Sequence, residues 1–344
     1  MKEEFHSIIV RMPNWVGDLV MATPVLKDLR IAFPNAEITA MCLSRIAPLL
    51  EHDPNIDKIF HFSRSKKFFR RINERSIVGK LKKGQYDIGI LLTNSLSSAW
   101  HFWQGSVQNR IGFKSQGRTL LLNTPLSFPK NKTGQHLVIT YKTLLTPLGI
   151  SISQTFPYLT ILDEEIQDVR NFIGRFGITT KHKIIGISPG AGSLAKSYIP
   201  ERFHEIAQRL IQAHPLHVVL FLGTFEQKDL IERICANLPH RAINLAGQTN
   251  LRKLMALIKI CSVFLANDSG PMHIADSLEV PLLALFGPTD PIVTGPYRQR
   301  EEVIQKQVAC VPCFQGVCPI DLSCMKKISV EEVIDALLKK ITKH

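Results

Sequence analysis

The run from residue 263 to 291, VFLANDSGPMHIADSLEVPLLALFGPTDP, places the strongest constraint on how this chain can fold. Residues 263–266 and 281–286 have the length and apolar composition of buried strands, and a polar loop follows each of them. Pro271 suits the first turn of a helix between the two strands. The run therefore predicts strand, loop, helix, strand and loop, which is the repeating unit of a parallel α/β sheet.

Both polar loops leave the carboxyl ends of their strands, where open parallel sheets bind ligands. Ser269 and Gly270 are small enough to let backbone approach a ligand, and a helix start at Pro271 offers unpaired N–H groups to an anion such as phosphate. Asp268 can accept from ligand hydroxyls, and His273 falls in the first helical turn. A helix cap at Asp268 or Ser269, with His273 packed in the core, fits the residues equally well.

The DSGPMHIA and FGPTDP runs resemble the nucleotide-sugar half of the ADP-heptose:lipopolysaccharide heptosyltransferases. Members of that family read D-[ST]-G-x-x-H-x-x-A and then [FY]-G-x-T-[DN]-P. The resemblance implies an α/β chain of GT-B fold, with two facing Rossmann-like domains and a central cleft. It also implies an inverting glycosyltransferase that moves L-glycero-D-manno-heptose from ADP-heptose to the lipopolysaccharide inner core. Donor contacts are then expected at Asp268, Ser269, Gly270 and His273.

The amino-terminal strand, loop and helix carry the residue expected to act as the base. Strand 7–11 leads through N-W-V-G-D into a helix predicted over 19–32, so Asp18 either caps that helix or holds a carboxylate for an acceptor proton. The run resembles the family's [ST]-x-x-G-D landmark, whose Asp is regarded as the general base, with Asn14 in place of Ser or Thr. This form is closest to heptosyltransferase II, which adds the second heptose. Asn14 and Trp15 are predicted to contact the acceptor.

A basic segment follows in the same half of the chain. Residues 64–83, RSKKFFRRINERSIVGKLKK, carry apolar residues at helix-like spacing and predict a basic amphipathic helix. A solvated outer helix and a surface for anionic lipid head groups are equally compatible with it. Further acceptor contacts are predicted at Arg64, Lys67, Asn94 and Arg118. Trp100 and Trp103 suggest either an aromatic wall for the acceptor sugar or helix-to-sheet packing.

Loops at strand ends in the second half supply the remaining donor contacts. The glycine-rich turn 188–193 precedes Lys196, so its amides and the ammonium group can hold a diphosphate. It matches neither a P-loop nor G-x-G-x-x-G, but the family resemblance places a phosphate-binding lysine here, and Lys196 is therefore predicted to assist catalysis. The other predicted donor-binding residues in these loops are Ser188, Gly190, Ala191, Glu226, Thr249 and Leu251.

Length and charge support a two-domain enzyme with an anionic partner. The chain of 344 residues predicts an acceptor domain over 1–160, a donor domain over 161–328 and a C-terminal helix over 329–344. Residues 1–162 hold 21 basic and 10 acidic side chains, whereas residues 163–344 hold 21 and 19. No signal peptide or spanning segment is recognisable. The expected location is cytoplasmic, peripheral on the inner membrane of a Gram-negative bacterium, with a lipid A–Kdo–heptose core as acceptor.

The cysteines and acidic residues bear on metals. The spacing of Cys310, Cys313, Cys318 and Cys324 is irregular for zinc, so a structural zinc site, plain thiols and a redox pair all remain open. No D-x-D motif lies among the predicted cleft residues, and neither a catalytic metal nor a cofactor besides the ADP-heptose donor is expected. Two alternatives are a nucleotide-sugar epimerase of the same architecture and a basic nucleic-acid-binding protein, although no aromatic-basic recognition motif supports the latter.

Overall fold

A computed structural model gives the structure of the protein and describes residues 5–63, 70–129 and 134–343. The chain divides into two compact units, Met1–Thr160 and Ile161–His344. Each unit is built on one six-stranded sheet in which every strand pair is parallel. The predicted α/β class is therefore confirmed.

The first unit has the strand order β3-β2-β1-β4-β5-β6, in which the chain changes direction across the sheet between β1 and β4. Its strands are β1 (Ser7–Arg11), β2 (Glu37–Leu43), β3 (Lys58–Phe62), β4 (Ile88–Leu91), β5 (Asn109–Phe113) and β6 (Thr124–Leu126). Its helices are α1 (Val16–Ala32), α2 (Arg70–Gly84), α3 (Leu96–Gln104) and α4 (Leu137–Thr143), with short 3-10 turns at Ala47–Leu50, Arg118–Leu121 and Thr146–Leu148.

The second unit repeats this topology in the order β12-β11-β10-β7-β8-β9, with its reversal between β7 and β10. Its strands are β7 (Lys183–Ser188), β8 (His217–Phe221), β9 (Ala242–Asn244), β10 (Val263–Asn267), β11 (Leu282–Phe286) and β12 (Val303–Gln305). Its helices are α5 (Asp163–Gly174), α6 (Pro200–Ala213), α7 (Lys228–Cys235), α8 (Leu251–Lys259), α9 (Gly270–Ser277), α10 (Pro291–Thr294), α11 (Ser323–Lys326) and α12 (Val330–Lys343).

The second sheet is covered by helices whose apolar residues recur at helical spacing. In α6, Pro200 occupies the first turn, and Phe203, Ala207 and Leu210 fall on one buried face. The C-terminal helix α12 adds Val333 and Leu337 to the same core. Because helices cover β7 and β10, both strands are buried along nearly their whole length, and only the loops at their ends can present polar groups.

Short strands account for most of the differences between predicted and observed elements. Strands β5, β6 and β12 were not predicted, because β5 contains an arginine and a glycine, β6 has only three residues around Pro125, and β12 has only three residues. Helix α1 begins at Val16 rather than at residue 19, which places Asp18 inside its first turn. Throughout the described ranges, every helix is too short or too polar to cross a bilayer.

Two glycines of the first unit provide a matched test of packing. A Cβ on Gly79, in α2, would meet no atom within 4 Å, whereas a Cβ on Gly89, in β4, would lie 2.6 Å from the ring of Phe102. We expect Gly79→Ala to raise the free energy of unfolding by about 0.5–1 kcal/mol, because alanine favours the helix. Gly89→Ala is expected to lower it by about 1–3 kcal/mol through overpacking. Denaturant unfolding of both variants measures the difference, and a destabilised Gly79→Ala would contradict this packing.

Candidate active site

Several of the predicted donor residues lie where the second sheet reverses direction. Strands β7 and β10 are neighbours, with Ala266 paired to Ser188, so the loops that follow them leave the same edge of the sheet side by side. Doubly wound sheets bind ligands at such a reversal. Lys196 comes from the first of these loops, and Asp268, Ser269 and Gly270 come from the second.

A buried carboxylate ties three of the strand-end loops together. The Oδ2 atom of Asp268 lies 2.7 Å from Nζ of Lys196 and accepts a hydrogen bond of 2.6 Å from the Thr289 hydroxyl. Asp268 is 6% exposed and the Lys196 side chain is 28% exposed, so the carboxylate is enclosed while part of the cation reaches the surface. Sequence reasoning did not predict this pairing, although Thr289 stands in the FGPTDP motif.

The neighbouring Asn267, at the end of β10, fixes the position of the loop that follows β7. Its amide nitrogen donates to the Pro189 carbonyl at 2.7 Å, and its amide oxygen accepts from the Tyr198 backbone N–H at 3.3 Å. Asn267 is fully buried, so both bonds are shielded from water. This residue was missed in the sequence, where an asparagine at a strand end suggests only a turn.

Ser269 has a hydroxyl without a partner. It is the N-cap residue of α9, yet its side chain makes no capping bond, and its Oγ atom is buried with no hydrogen-bond partner. The interpretation of Ser269 as a side-chain helix cap is therefore wrong. Buried hydroxyls are nearly always paired, and this unpaired one directly follows Asp268, the partner of Lys196. His273 lies one turn further along α9 and is 6% exposed.

Gln227 joins the loops that follow β7 and β8. A Cβ on Gly190 would lie 2.1 Å from its Nε2 atom, and a Cβ on Gly223 would lie 3.0 Å from its Oε1 atom. The absence of a side chain at Gly190 thus makes room for the Gln227 amide, while the predicted donor contact of the Gly190 backbone stays a prediction. Ser188 is buried, whereas Ala191 is half-buried.

The remaining predicted donor residues follow β8 and β9. Glu226 is exposed, and a hydrogen bond with the Thr224 side chain is the main cause that lowers the pKa of its carboxyl group. Thr249 and Leu251 are half-buried on either side of Asn250, which caps α8 by accepting from the Lys253 backbone N–H at 2.8 Å. These positions lie at strand ends, as predicted, but no contact distinguishes them as ligand groups.

Asp18 lies at the corresponding reversal of the first sheet. Strands β1 and β4 are neighbours there, and α1 follows β1 after a short loop. The N-cap residue of α1 is Trp15, so Asp18 is not the cap but a half-buried carboxylate in the first turn, where the helix dipole favours its charge. Burial, and then the charge of Asp18, raise the pKa of Tyr141 on α4, which therefore remains a neutral phenol.

Two arginines hold the loop between β1 and α1. Arg11 donates from Nη2 to the Asn14 side-chain oxygen at 2.7 Å, and Arg45 donates to the Asn14 carbonyl at 2.7 Å. The Arg45 guanidinium also lies over the Trp15 ring, 5.5 Å from its centroid, and that ring is 69% exposed. Asn14 and Trp15 are therefore displayed on a fixed loop next to a cation that the sequence analysis did not select.

Arg118 supports this region from within instead of facing a ligand. It is fully buried and donates to the backbone carbonyls of Phe113 and Thr93 and to the Asn94 side-chain oxygen. Burial lowers the pKa of its guanidinium to about 10. The prediction of a direct acceptor contact at Arg118 is corrected to that of a positioning residue.

Two further observations concern predicted acceptor residues. The Oγ1 atom of Thr93, next to Asn94 at the end of β4, is buried without a hydrogen-bond partner, like Ser269 in the second unit. Arg64 and Lys67 lie outside the described residues.

The four C-terminal cysteines lie close to residues of two strand-end loops. Cys310, Cys313, Cys318 and Cys324 line one small cavity together with Ala195 and Pro288. The backbone N–H of Cys313 donates to the Pro288 carbonyl at 3.0 Å. Across the ranges that the structure describes, no group of three or more His, Cys, Asp or Glu residues is arranged to hold a metal ion, so the geometry gives no support to the considered zinc site.

Two six-stranded doubly wound units, matched along nearly the whole chain by a solved heptosyltransferase, place the protein in the GT-B class of glycosyltransferases. The chain belongs to glycosyltransferase family 9 (heptosyltransferase), whose family model matches residues 75–323. It is therefore a glycosyltransferase, and neither the epimerase nor the nucleic-acid alternative gains support.

Individual relatives agree with this family. Lipooligosaccharide heptosyltransferase 2 of Haemophilus ducreyi is 32% identical over 87% of this chain and 88% of its own length. The Haemophilus influenzae protein of the same name is 30% identical over the same shares. The solved Escherichia coli ADP-heptose lps heptosyltransferase II is 25% identical, with a TM-score of 0.84 over 98% of this chain and 99% of that one.

The positioning role of Arg118 has a direct test in stability. Arg118→Met preserves the length of the side chain but leaves two carbonyls and the Asn94 oxygen without their donor. We expect the free energy of unfolding to fall by about 2–4 kcal/mol. Lys114→Met, at an exposed position in the same loop, should change it by less than about 0.5 kcal/mol. Equal effects of the two substitutions in denaturant unfolding would contradict this role.

Proposed function

We propose that the protein transfers L-glycero-D-manno-heptose from ADP-heptose to the lipopolysaccharide inner core with inversion, and that it adds the second heptose. The observation that carries this proposal is the partnerless Ser269 hydroxyl, which directly follows the Lys196-paired Asp268 at the reversal of the second sheet. Similarity to several proteins named heptosyltransferase 2 supports the choice of sugar and acceptor.

The second unit supplies the donor site in this proposal. The α9 N-terminus directs N–H groups and a partial positive charge toward the donor diphosphate, and the Ser269 hydroxyl donates to a phosphate oxygen. The Lys196 ammonium group pairs with Asp268 on one side, and its exposed side binds the donor diphosphate. Glu226 and the loop around Thr249 bind the nucleoside. The same groups stabilise ADP as it leaves, since negative charge builds up on its phosphate.

The first unit supplies the base and the acceptor contacts. The Asp18 carboxylate takes the proton of the acceptor hydroxyl while that oxygen attacks the anomeric carbon. The bond from this carbon to the diphosphate oxygen breaks, and its electron pair leaves with ADP. Direct displacement inverts the configuration and needs neither a covalent sugar–enzyme intermediate nor a cofactor. Trp15 and Asn14, held by Arg45 and Arg11, contact the acceptor saccharide.

The acceptor class also sets the proposed location. A lipid A–Kdo–heptose core is anchored in a membrane, and the excess of basic residues in the first half of the chain suits its phosphates and carboxylates. We place the protein in the cytoplasm of a Gram-negative bacterium, peripherally on the inner membrane.

Reconstituted transfer tests the function. The purified protein is incubated with ADP-heptose and with a core acceptor that bears either no heptose or one heptose, and the products are analysed by mass spectrometry. We expect a mass gain of one heptose on the acceptor that already bears one, with an inverted anomeric configuration by NMR. Transfer only to the heptose-free acceptor would overturn the assignment to the second heptose, and no transfer to either would overturn the activity.

Ser269→Ala separates donor binding from stability. Since the Oγ atom has no partner in the free protein, its removal should leave the free energy of unfolding unchanged or slightly higher. The affinity for ADP should fall roughly tenfold, because one hydrogen bond to a charged phosphate is lost. Calorimetric titration with ADP measures the affinity, and Ser262→Ala, at a half-buried position before β10, is the control. An unchanged ADP affinity would remove Ser269 from the donor site.

Asp18→Asn tests the base. The amide has the size of the carboxylate but cannot take a proton, so the transfer rate should fall by about 10²- to 10⁴-fold. The dissociation constant for ADP should stay within about twofold, because no donor contact is removed. Single-turnover rates and the calorimetric titration report the two quantities separately. A transfer rate within a few-fold of the unmodified enzyme would show that Asp18 is not the base.

A further inference from the structure

The outer faces of α2 and α3 form an open groove on the first unit. It is lined by Glu74, Arg75, Val78, Gly79, Lys82, Trp100, Trp103 and Gln104 and has a volume of about 730 Å³. The sequence left the role of this helix and of the two tryptophans open, and the proposed transfer reaction uses none of these side chains.

Helical spacing explains why these residues meet. Arg75, Val78, Gly79 and Lys82 stand at positions i, i+3, i+4 and i+7 of α2, which is one face of a helix. The opposite face carries Ile77 and Leu81, which are buried in the core of the unit. In α3, Trp100, Trp103 and Gln104 face outward, while Ala99 and Phe102 enter the same core. Two amphipathic helices thus lie side by side with their remaining faces exposed.

The two tryptophans form an exposed aromatic pair. Their ring centroids lie 5.0 Å apart at an interplanar angle of 37°, and Trp100 and Trp103 are 44% and 47% exposed. Burying these rings from water would release free energy, whereas the indole N–H groups favour a polar boundary. Tryptophan is accordingly enriched where lipid head groups meet the acyl region of a bilayer.

The charge around the pair is positive. Residues 74–84 hold four basic side chains and one acidic side chain. Arg75 and Lys82 line the groove together with Glu74, while Lys80 and Lys83 are exposed on the same helix. Long basic side chains can place their charge at the head groups while their stems lie along apolar surface. Gly79 leaves the groove open, since a Cβ there would meet nothing within 4 Å.

We propose that this groove, which we call the Trp100–Trp103 surface, docks the protein onto the head-group region of an anionic phospholipid bilayer. Trp100 and Trp103 enter the interface, and Arg75 and Lys82 bind lipid phosphates on either side. A bilayer fits better than an acidic protein or a nucleic acid, because the exposed apolar area and the cationic side chains share one groove. The proposal rests on the proposed function only through the membrane location of the acceptor.

Fluorescence offers a selective measurement, because the chain has three tryptophans, Trp15, Trp100 and Trp103. In a Trp15→Phe background, all tryptophan emission comes from the Trp100–Trp103 surface. We expect a blue shift and quenching when the protein meets vesicles of 30% phosphatidylglycerol and 70% phosphatidylcholine with brominated acyl chains. Vesicles of phosphatidylcholine alone should give little change, and added salt should reverse the effect as it screens the charges.

Charge variants in the same background locate the contact. Arg75→Gln with Lys82→Gln should lower the affinity for phosphatidylglycerol vesicles about fivefold per residue, or roughly 25-fold together. The matched control, Lys181→Gln with Arg233→Gln, removes two exposed charges from the second unit and should leave the affinity within about twofold. Trp100→Ala with Trp103→Ala, measured by vesicle sedimentation, should weaken binding roughly tenfold.

Each outcome has a defined meaning. Sedimentation with vesicles without quenching would show that another surface makes the contact, and the absence of sedimentation would exclude a lipid surface altogether. Equal losses of vesicle affinity in the double charge variant and its control would show that only the net charge of the protein matters. That result would overturn the proposal. Transfer to an acceptor in detergent micelles, measured on the unmodified protein, tests the catalytic function without a bilayer. A failure of membrane docking can therefore be told apart from a failure of the proposed transfer activity.

Discussion

The buried carboxylate of Asp268 is the interaction on which the donor half of the structure depends. A carboxylate that is 6% exposed needs compensation, and Lys196 and Thr289 provide it from the loops after β7 and β11. Each partner comes from a different strand, so one charge sets the separation of three loops. Asn267 adds two shielded hydrogen bonds across the same junction. The position of the Lys196 ammonium group is therefore established before any ligand binds.

In the first unit, the buried cation Arg118 holds strand-end groups in place, as the buried Asp268 carboxylate does in the second. Arg118 gathers two backbone carbonyls and the Asn94 side chain at the end of β4, next to the strand that leads to Asp18. Both sheets share one strand order, and in each of them a hydroxyl two residues beyond the strand lacks a partner, at Thr93 and Ser269. Each of these two hydroxyls thus follows a strand that borders the reversal of its sheet.

Much of this arrangement could be predicted from the sequence, because buried parallel strands are continuous apolar runs and their carboxyl ends meet at one edge. The grouping of Lys196 with Ser269 follows from that rule alone. The burial of Arg118 could not be predicted, since a lone arginine between Gly117 and Thr119 looks the same whether it faces solvent or the protein interior. Partners distant in sequence, such as Asp268 with Thr289 or α2 with α3, depend on packing that no local pattern specifies.

The position of Gln227 limits which substitutions the loops after β7 and β8 can accept. Its amide occupies the space that side chains at Gly190 and Gly223 would need. The loops after β7 and β8 are therefore packed closely against each other. A side chain at Gly190 would displace the end of the Gln227 side chain, whose Oε1 atom accepts from the Thr224 backbone N–H in the neighbouring loop. A larger residue at either glycine is therefore expected to move side chains at this junction, so a change made in one loop is felt in the other.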